Sequence, residues 1–369
     1  MRRTGATLIV MSNNEVRARG LRKERSLASA RFRDGLFQNT RRTMMGPKPG
    51  MRLEVGRELL FGGQQRRPGG PLPSESPLAT WARPVDTGLR TTWLGHSTVL
   101  LELDGIRVLT DPVWSDRISP FGIAAPRRFQ AVPVTVDQLP PLDAIVISHD
   151  HFDHLDRGSV HALTPLGVPF VTPLGVGHYL QGWGVPAAQI IELDWWETAT
   201  LRGGDLALTA TPAQHFSGRV GGRNRTLWSS FVIETAHRRV FFSGDTALTP
   251  EFADVAAKFA PFDLIMLEIG GFHPAWDHIH LGPANALEAF RMLGGGRFMP
   301  VHWGTFNLAL HAWDWPGETV SALAAEQQVE LFMPRLGAAV EPARGPLRFE
   351  PWWRGYSTIQ QSPAMASGL

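Results

Sequence analysis

Apolar positions in this chain gather into short runs from about residue 91 onward, and the runs carry two periods. Residues 91–103 (TTWLGHSTVLLEL) are β-rich and partly alternating. Gly105 turns the chain into residues 106–110 (IRVLT), so the segment reads as a hairpin. Residues 142–148 (LDAIVIS) form a continuous apolar run of the buried-strand type. Residues 169–172, 190–193, 206–211, 227–234, 240–243, 262–268 and 298–302 continue the strand pattern. Helices are expected at 159–163, 250–259, 283–293 and 318–328. For the second of these, Thr249 is placed as N-cap and Pro250 as the first helical residue. Runs of strands come early and strand–helix alternation comes late. That order suits a layered α/β domain with helices outside two packed sheets.

The first 85 residues read differently. Up to residue 45 the pattern is weak, and eleven basic residues between Arg2 and Arg42 face only Glu15, Glu24 and Asp34. Residues 46–85 are rich in Gly and Pro (RPGGPLP at 67–73), which suits an irregular wrapping segment. The division expected is an extension over 1–85, a folded domain over 86–345 and a C-terminal tail over 346–369. The basic arm can meet anionic lipid or stay a solvated tail. It lacks interleaved aromatics beyond Phe32 and Phe37, which makes nucleic acid an unfavoured partner. No stretch reaches the roughly 20 apolar residues of a membrane span, and residues 7–11 (TLIVM) are too short for a signal core. The expectation is a cytoplasmic protein, free or peripheral at the membrane, of open oligomeric state.

With 0 cysteines, disulfides and thiolate metal sites are excluded. Any metal must sit on His, Asp and Glu, which suits zinc, iron or manganese. The segment SHDHFDHLD (148–156) begins where an apolar strand ends, and strand ends are where α/β folds place reactive groups. One loop thereby offers His149, His151, Asp153 and His154. Further candidates close other strands: His215 after TATPAQ, Asp245 after FFSG and His302 after FMPV.

This order, His-x-His-x-Asp-His followed by His, Asp and His, resembles the metallo-β-lactamase superfamily. The motifs WLGHST (93–98), TDPVW (110–114), PRRF (126–129), LPPLDA (139–144) and VHWG (301–304) are similar to the branch containing N-acylphosphatidylethanolamine-hydrolysing phospholipase D. Ascorbate-6-phosphate lactonases are more distant relatives. The resemblance covers roughly residues 85–345 and implies a four-layer αββα sandwich. It implies two divalent metal ions, foremost zinc. His149, His151 and His215 would bind one, Asp153, His154 and His302 the other, and Asp245 would bridge them.

The chemistry so implied is hydrolysis by water held and activated between two metals, with Asp153 as proton acceptor. By the same resemblance His280 is a candidate for substrate contact or leaving-group protonation; the alternative is an exposed loop histidine. Asp111 either supports a ligand imidazole or simply caps the turn after its strand, and Asp156 is a weaker candidate for that support. His96 either lines the site or buttresses the hairpin. Phe216, Trp228 and Trp303 are either pocket walls or core. The expected substrate is an N-acylphosphatidylethanolamine-like lipid phosphodiester; a lactone, amide or sugar phosphate is the alternative. A soluble anionic substrate would call on Arg219, Arg223 and Arg225.

Overall fold

The computed structural model describes residues 13–41, 46–119, 125–219, 222–343 and 350–356. Arg2, Arg3, Arg42, the apolar residues 7–11 and residues 357–369 lie outside the described residues.

Two sheets face each other. The first has seven strands in the order β13-β1-β2-β3-β4-β5-β6, where β1 is Leu89–Trp93, β2 Val99–Leu103, β3 Ile106–Thr110, β4 Ala144–Val146, β5 Phe170–Pro173, β6 Ile190–Leu193 and β13 Ala339–Val340. The second has six, ordered β12-β11-β10-β9-β8-β7, with β7 Thr198–Leu201, β8 Leu206–Thr211, β9 Ser230–Glu234, β10 Arg239–Phe242, β11 Leu264–Glu268 and β12 Phe298–Val301. The expected hairpin closes at Gly105, pairing Leu103 with Ile106. The run 91–103 is, however, two strands: Gly95 and His96 have positive φ and break it into β1 and β2.

Alternation along the strands builds the layers. Val99, Leu101 and Leu103 point into the core shared with the second sheet. Leu100 points the other way, with Leu109, Ile145 and Phe170, into a separate core. That second core is covered by α4 (Arg157–Leu163) and α5 (Gly177–Gly182), through Val160, Leu163 and Leu180. On the far side, α6 (Glu251–Phe259), α7 (Gly282–Met292) and α8 (Trp315–Glu326) bring Phe252, Leu287 and Val320 to the central core. The result is the αββα sandwich. α6 starts one residue later than expected. Pro250 takes the cap position, and Thr249 turns its hydroxyl to the Glu251 carboxylate.

The extension is not a solvated tail where it is described. α1 (Asn13–Ala28) lies against α5 and the end of β6, with Arg22 donating to Gln181 and Arg25 to the Glu192 carbonyl at 2.6 Å. Phe37 is fully buried with Leu174, Leu227 and Trp228. Residues 46–85, expected to be irregular, contain α2 (Arg52–Phe61) and α3 (Leu78–Trp81). The tail boundary at 346 also moves, because Trp352 and Trp353 are buried in the central core.

Candidate metal centre

β3, β4 and β5 run parallel, as do β10, β11 and β12. Parallel neighbours end at a common edge, so the loops that follow them meet there. The structure brings all seven expected ligand residues together at that edge, in two neighbouring groups, with Asp245 and His302 also meeting Glu268 and His280 in a third. In the first, His149, His151, His215 and Asp245 place one donor atom each within 4.8 Å of the others. His149 Nε2 is 2.8 Å from His151 Nδ1, and His151 Nδ1 is 3.3 Å from His215 Nε2. In the second, Asp153, His154 and His302 converge with His96. Asp245 joins the two: its Oδ2 is 3.8 Å from His215 Nε2 and 3.2 Å from His302 Nε2, while Oδ1 is 3.2 Å from His154 Nε2.

The backbone is shaped to permit this. His96, Asp111 and His302 have φ of 55°, 32° and 61°, a left-handed conformation that costs energy for residues with a Cβ and collects at functional sites. Gly244, just before Asp245, has φ 54°, and a Cβ there would lie 2.5 Å from Ser148 Cβ. No larger residue could let the Asp245 turn approach the histidine loop so closely.

The residues present fit metal ions. His154 Nε2, His302 Nε2 and Asp245 Oδ1 are buried and make no hydrogen bond, although each faces the shared space. Orphaned buried polar atoms are costly unless something else occupies them. Electrostatics agree. Burial, with neighbouring imidazoles, holds His149 and His215 well below the usual histidine range, neutral and able to donate a lone pair. Burial works the same way on His302, but Asp245, Asp153 and Glu268 outweigh it and push the imidazole up to about 10. His154 is likewise driven up against its burial, by Asp245 and Asp153. Burial would raise Asp153 and Asp245, yet His154 and His302 hold both well below the ordinary carboxylate range. The carboxylates therefore favour positive charge here, which divalent cations could supply in place of imidazole protons.

Outer contacts fix the rings. Asp111 Oδ2 is 2.7 Å from His154 Nδ1 and also accepts from the Ser148 hydroxyl at 2.6 Å, the supporting one of its two expected roles. Asp156 has a different job: it caps α4, accepting from Ser159 N at 3.0 Å. His215 Nδ1 lies 2.8 Å from the Ile279 carbonyl, which directs Nε2 inward. His96 lines the site, with Nε2 3.0 Å from Asp153 Oδ2. His280 stands at its edge, with Nδ1 2.7 Å from Glu268 Oε2.

Sequence reasoning missed two residues. Glu268 is fully buried, pairs with His280 and accepts from Thr246 N at 2.7 Å. Its signal was a carboxylate ending an apolar strand. Asn39 clamps the backbone of His215, donating to its carbonyl at 2.7 Å and accepting from its N–H at 3.1 Å. Nothing local marked it.

Other candidates fall elsewhere. Trp228 and Trp303 are core: the Trp228 indole donates to Asn39 and to the Ala213 carbonyl, and Trp303 stacks on Trp93. Phe216 does pack on the site, 4.6 Å from the His151 ring. Arg219 is occupied in packing. Its guanidinium lies 4.0 Å over the Phe152 ring and donates to the carbonyls of Asp150 and Leu155 at 2.7 and 2.8 Å.

The sandwich and the clustered His/Asp donors define a metallo-hydrolase scaffold. A family model described as the β-lactamase superfamily domain matches residues 106–303, and the chain belongs to that superfamily, as a metal-dependent hydrolase. An uncharacterised protein of Mycobacterium tuberculosis is 44% identical over 332 residues, 88% of each chain. An N-acyl-phosphatidylethanolamine-hydrolyzing phospholipase D of Caenorhabditis elegans is 36% identical over 60% of this chain and 66% of its own. A metal-dependent hydrolase of Pyrobaculum calidifontis is 31% identical over 60% of this chain and 86% of its own.

Proposed function

We propose that this chain is a dinuclear phosphodiesterase that cleaves N-acylphosphatidylethanolamine-like lipids in the manner of a phospholipase D. The observation that carries the dinuclear reading is the position of Asp245 between the two donor sets, its Oδ2 3.8 Å from His215 Nε2 and its Oδ1 3.2 Å from His154 Nε2. The lipid reading draws on the likeness to the nematode phospholipase D. In this reading His149, His151, His215 and Asp245 hold one ion, and Asp245, Asp153, His154 and His302 hold the other. Bound there, zinc ions would supply Lewis acidity and a water acidic enough to ionise near neutral pH. Iron or manganese would suit the same donors.

The chain's own residues supply the rest. Asp153 would act as the proton acceptor, held in place by His96, whose Nε2 lies 3.0 Å from its Oδ2. Glu268 raises the pKa of His280 against the pull of burial, which would let this imidazole donate a proton to the leaving N-acylethanolamine oxygen. Asp111 fixes the His154 tautomer. Arg219 is committed to packing, which leaves Arg223, 5.5 Å over the Phe216 ring, as the cation the soluble-anion alternative would call on.

The test is a matched panel on metal-loaded protein: N-acylphosphatidylethanolamine in mixed micelles, bis-p-nitrophenyl phosphate, and lactones. Lipid cleavage that disappears in Asp153→Ala and His302→Ala is expected. Lactone turnover without phosphodiester cleavage would leave the metal site standing and overturn the substrate class.

A further inference from the structure

α1 does not close flat on the body of the protein. Between it, the start of α5 and the loop before β9 lies a cavity of about 520 Å³, within the size range of small-ligand sites. Spacings of three, four and seven residues put Arg19, Arg22, Lys23 and Ser26 on one face of α1, and all four line the cavity. Arg225 joins them from the loop, and Glu192 of β6 is the one carboxylate among the described lining residues. Like charges at these spacings repel along a helix. Facing them across a concavity toward another arginine adds to that repulsion unless negative charge meets them.

The chain meets it only in part. Arg22 Nε lies 4.0 Å from Glu192 Oε2, and Arg22 Nη2 donates to Gln181. Arg19 Nη2 donates to His178 Nδ1 at 3.2 Å. Burial, then Arg19 and Arg22, hold that imidazole below the ordinary histidine value, so it adds no negative charge and takes up none of the positive. Arg19, Lys23 and Arg225 have no carboxylate partner among the described residues. On the floor, Glu192 Oε1 accepts from Gly177 N at 2.7 Å, while Oε2 is buried and makes no hydrogen bond. Burial raises this carboxyl to about 7. Near neutral pH it therefore holds a proton part of the time, able to go to an oxyanion, and Arg22 is then unmatched as well.

We propose that this cavity binds a small organic phosphomonoester, its phosphate on Arg19, Lys23 and Arg225 and its organic part against Leu27, Phe32 and Tyr179. Cations converging on one concavity suit a compact dianion, and guanidinium forks match phosphate oxygens. A carboxylate monoanion would leave most of that charge unmatched. A nucleic-acid strand calls for an extended basic track with stacking aromatics, whereas these cations face one cavity. The wall formed by Leu27, Phe32 and Tyr179 gives the ligand an apolar contact that bare phosphate cannot use. The site is distinct from the metal centre. Arg219 stands between them, its guanidinium 5.5 Å over the Tyr179 ring and 4.0 Å over that of Phe152 in the ligand loop. The proposal thus stands or falls independently of what the metals cleave.

The experiment is calorimetric titration of the full-length, metal-loaded protein with phenylphosphonate, which has no ester bond to hydrolyse, and with inorganic phosphate and benzoate beside it. Metals attract phosphonate too, so His302→Ala is run in parallel with Lys23→Ala, Arg225→Ala and Lys23→Arg. One class of phenylphosphonate site should persist in His302→Ala and in Lys23→Arg. It should weaken about tenfold in each alanine variant of the two cations, at unchanged melting temperature. Benzoate and inorganic phosphate should bind it more weakly than phenylphosphonate. Binding that is indifferent to Lys23 and Arg225, or a single class of site that is lost in His302→Ala, overturns the proposal. Benzoate binding as tightly as phenylphosphonate also overturns it, by reducing the cavity to general anion attraction. Phosphatidic acid in mixed micelles, set against phosphatidylcholine, separates the two sources of the ligand. Displacement of phenylphosphonate by phosphatidic acid supports the site with a lipid headgroup in it, and no displacement supports it with a soluble phosphomonoester.

Discussion

Asp111 and His154 form a pair at 2.7 Å in which both side chains are completely buried. The carboxylate cannot serve solvent or substrate there, so its work is on the imidazole: it holds the Nδ1 proton and turns Nε2 toward Asp153 and Asp245. Asp111→Asn keeps the shape but weakens that hold. Its metal affinity should fall about 10- to 100-fold, measured by competition with a chelator, while the far-ultraviolet spectrum is retained. Unchanged affinity would contradict the assigned role.

The pair also marks what could be read from sequence. The ligand loop was legible because four donors crowd one strand end, and Asp111 because it closes a neighbouring strand. The layers were legible because residues 99–110 alternate between two cores. Asn39 was not, since its value lies in meeting His215 across 176 positions of sequence. α1 was hidden as well. Its face is mostly polar, and it is held by arginines whose partners, Gln181 and Glu192, come from distant elements.

Asn39→Ala tests that long-range brace. It leaves the buried N–H and carbonyl of His215 without partners, a loss of roughly 1–3 kcal/mol. A lower denaturant midpoint and weaker metal retention should appear together. Loss of neither would mean that the N-terminal segment is incidental to the site.

Glu268→Gln separates positioning from bulk. The carboxylate raises His280 above the ordinary histidine value, outweighing burial. Removing its charge lowers the His280 pKa, so the protonated form is lost at lower pH. The alkaline limb of kcat/KM should therefore move to lower pH in the variant. A profile superimposable on wild type would exclude His280 as the proton donor.

Glu192 gives a stability signature remote from the metals. Burial raises its carboxyl from the usual 4.5 to about 7, against the pull of Gly177 N and Arg22. The folded state thus binds this proton more tightly than the unfolded chain. The contribution is fully present below about 4.5 and is lost as pH rises toward 7. Glu192→Gln should gain on wild type by about 3 kcal/mol across that window and no further above it, read from urea midpoints at pH 5 and pH 8. A constant difference between the two proteins would contradict this.

The most direct test of the central claim is the cleavage of N-acylphosphatidylethanolamine by the metal-loaded protein in oxygen-18 water. Attack at phosphorus with release of the ethanolamide predicts one labelled oxygen in the phosphatidic acid and none in the N-acylethanolamine. Label in a released fatty acid, or an intact phosphodiester under conditions where lactones turn over, would contradict the account.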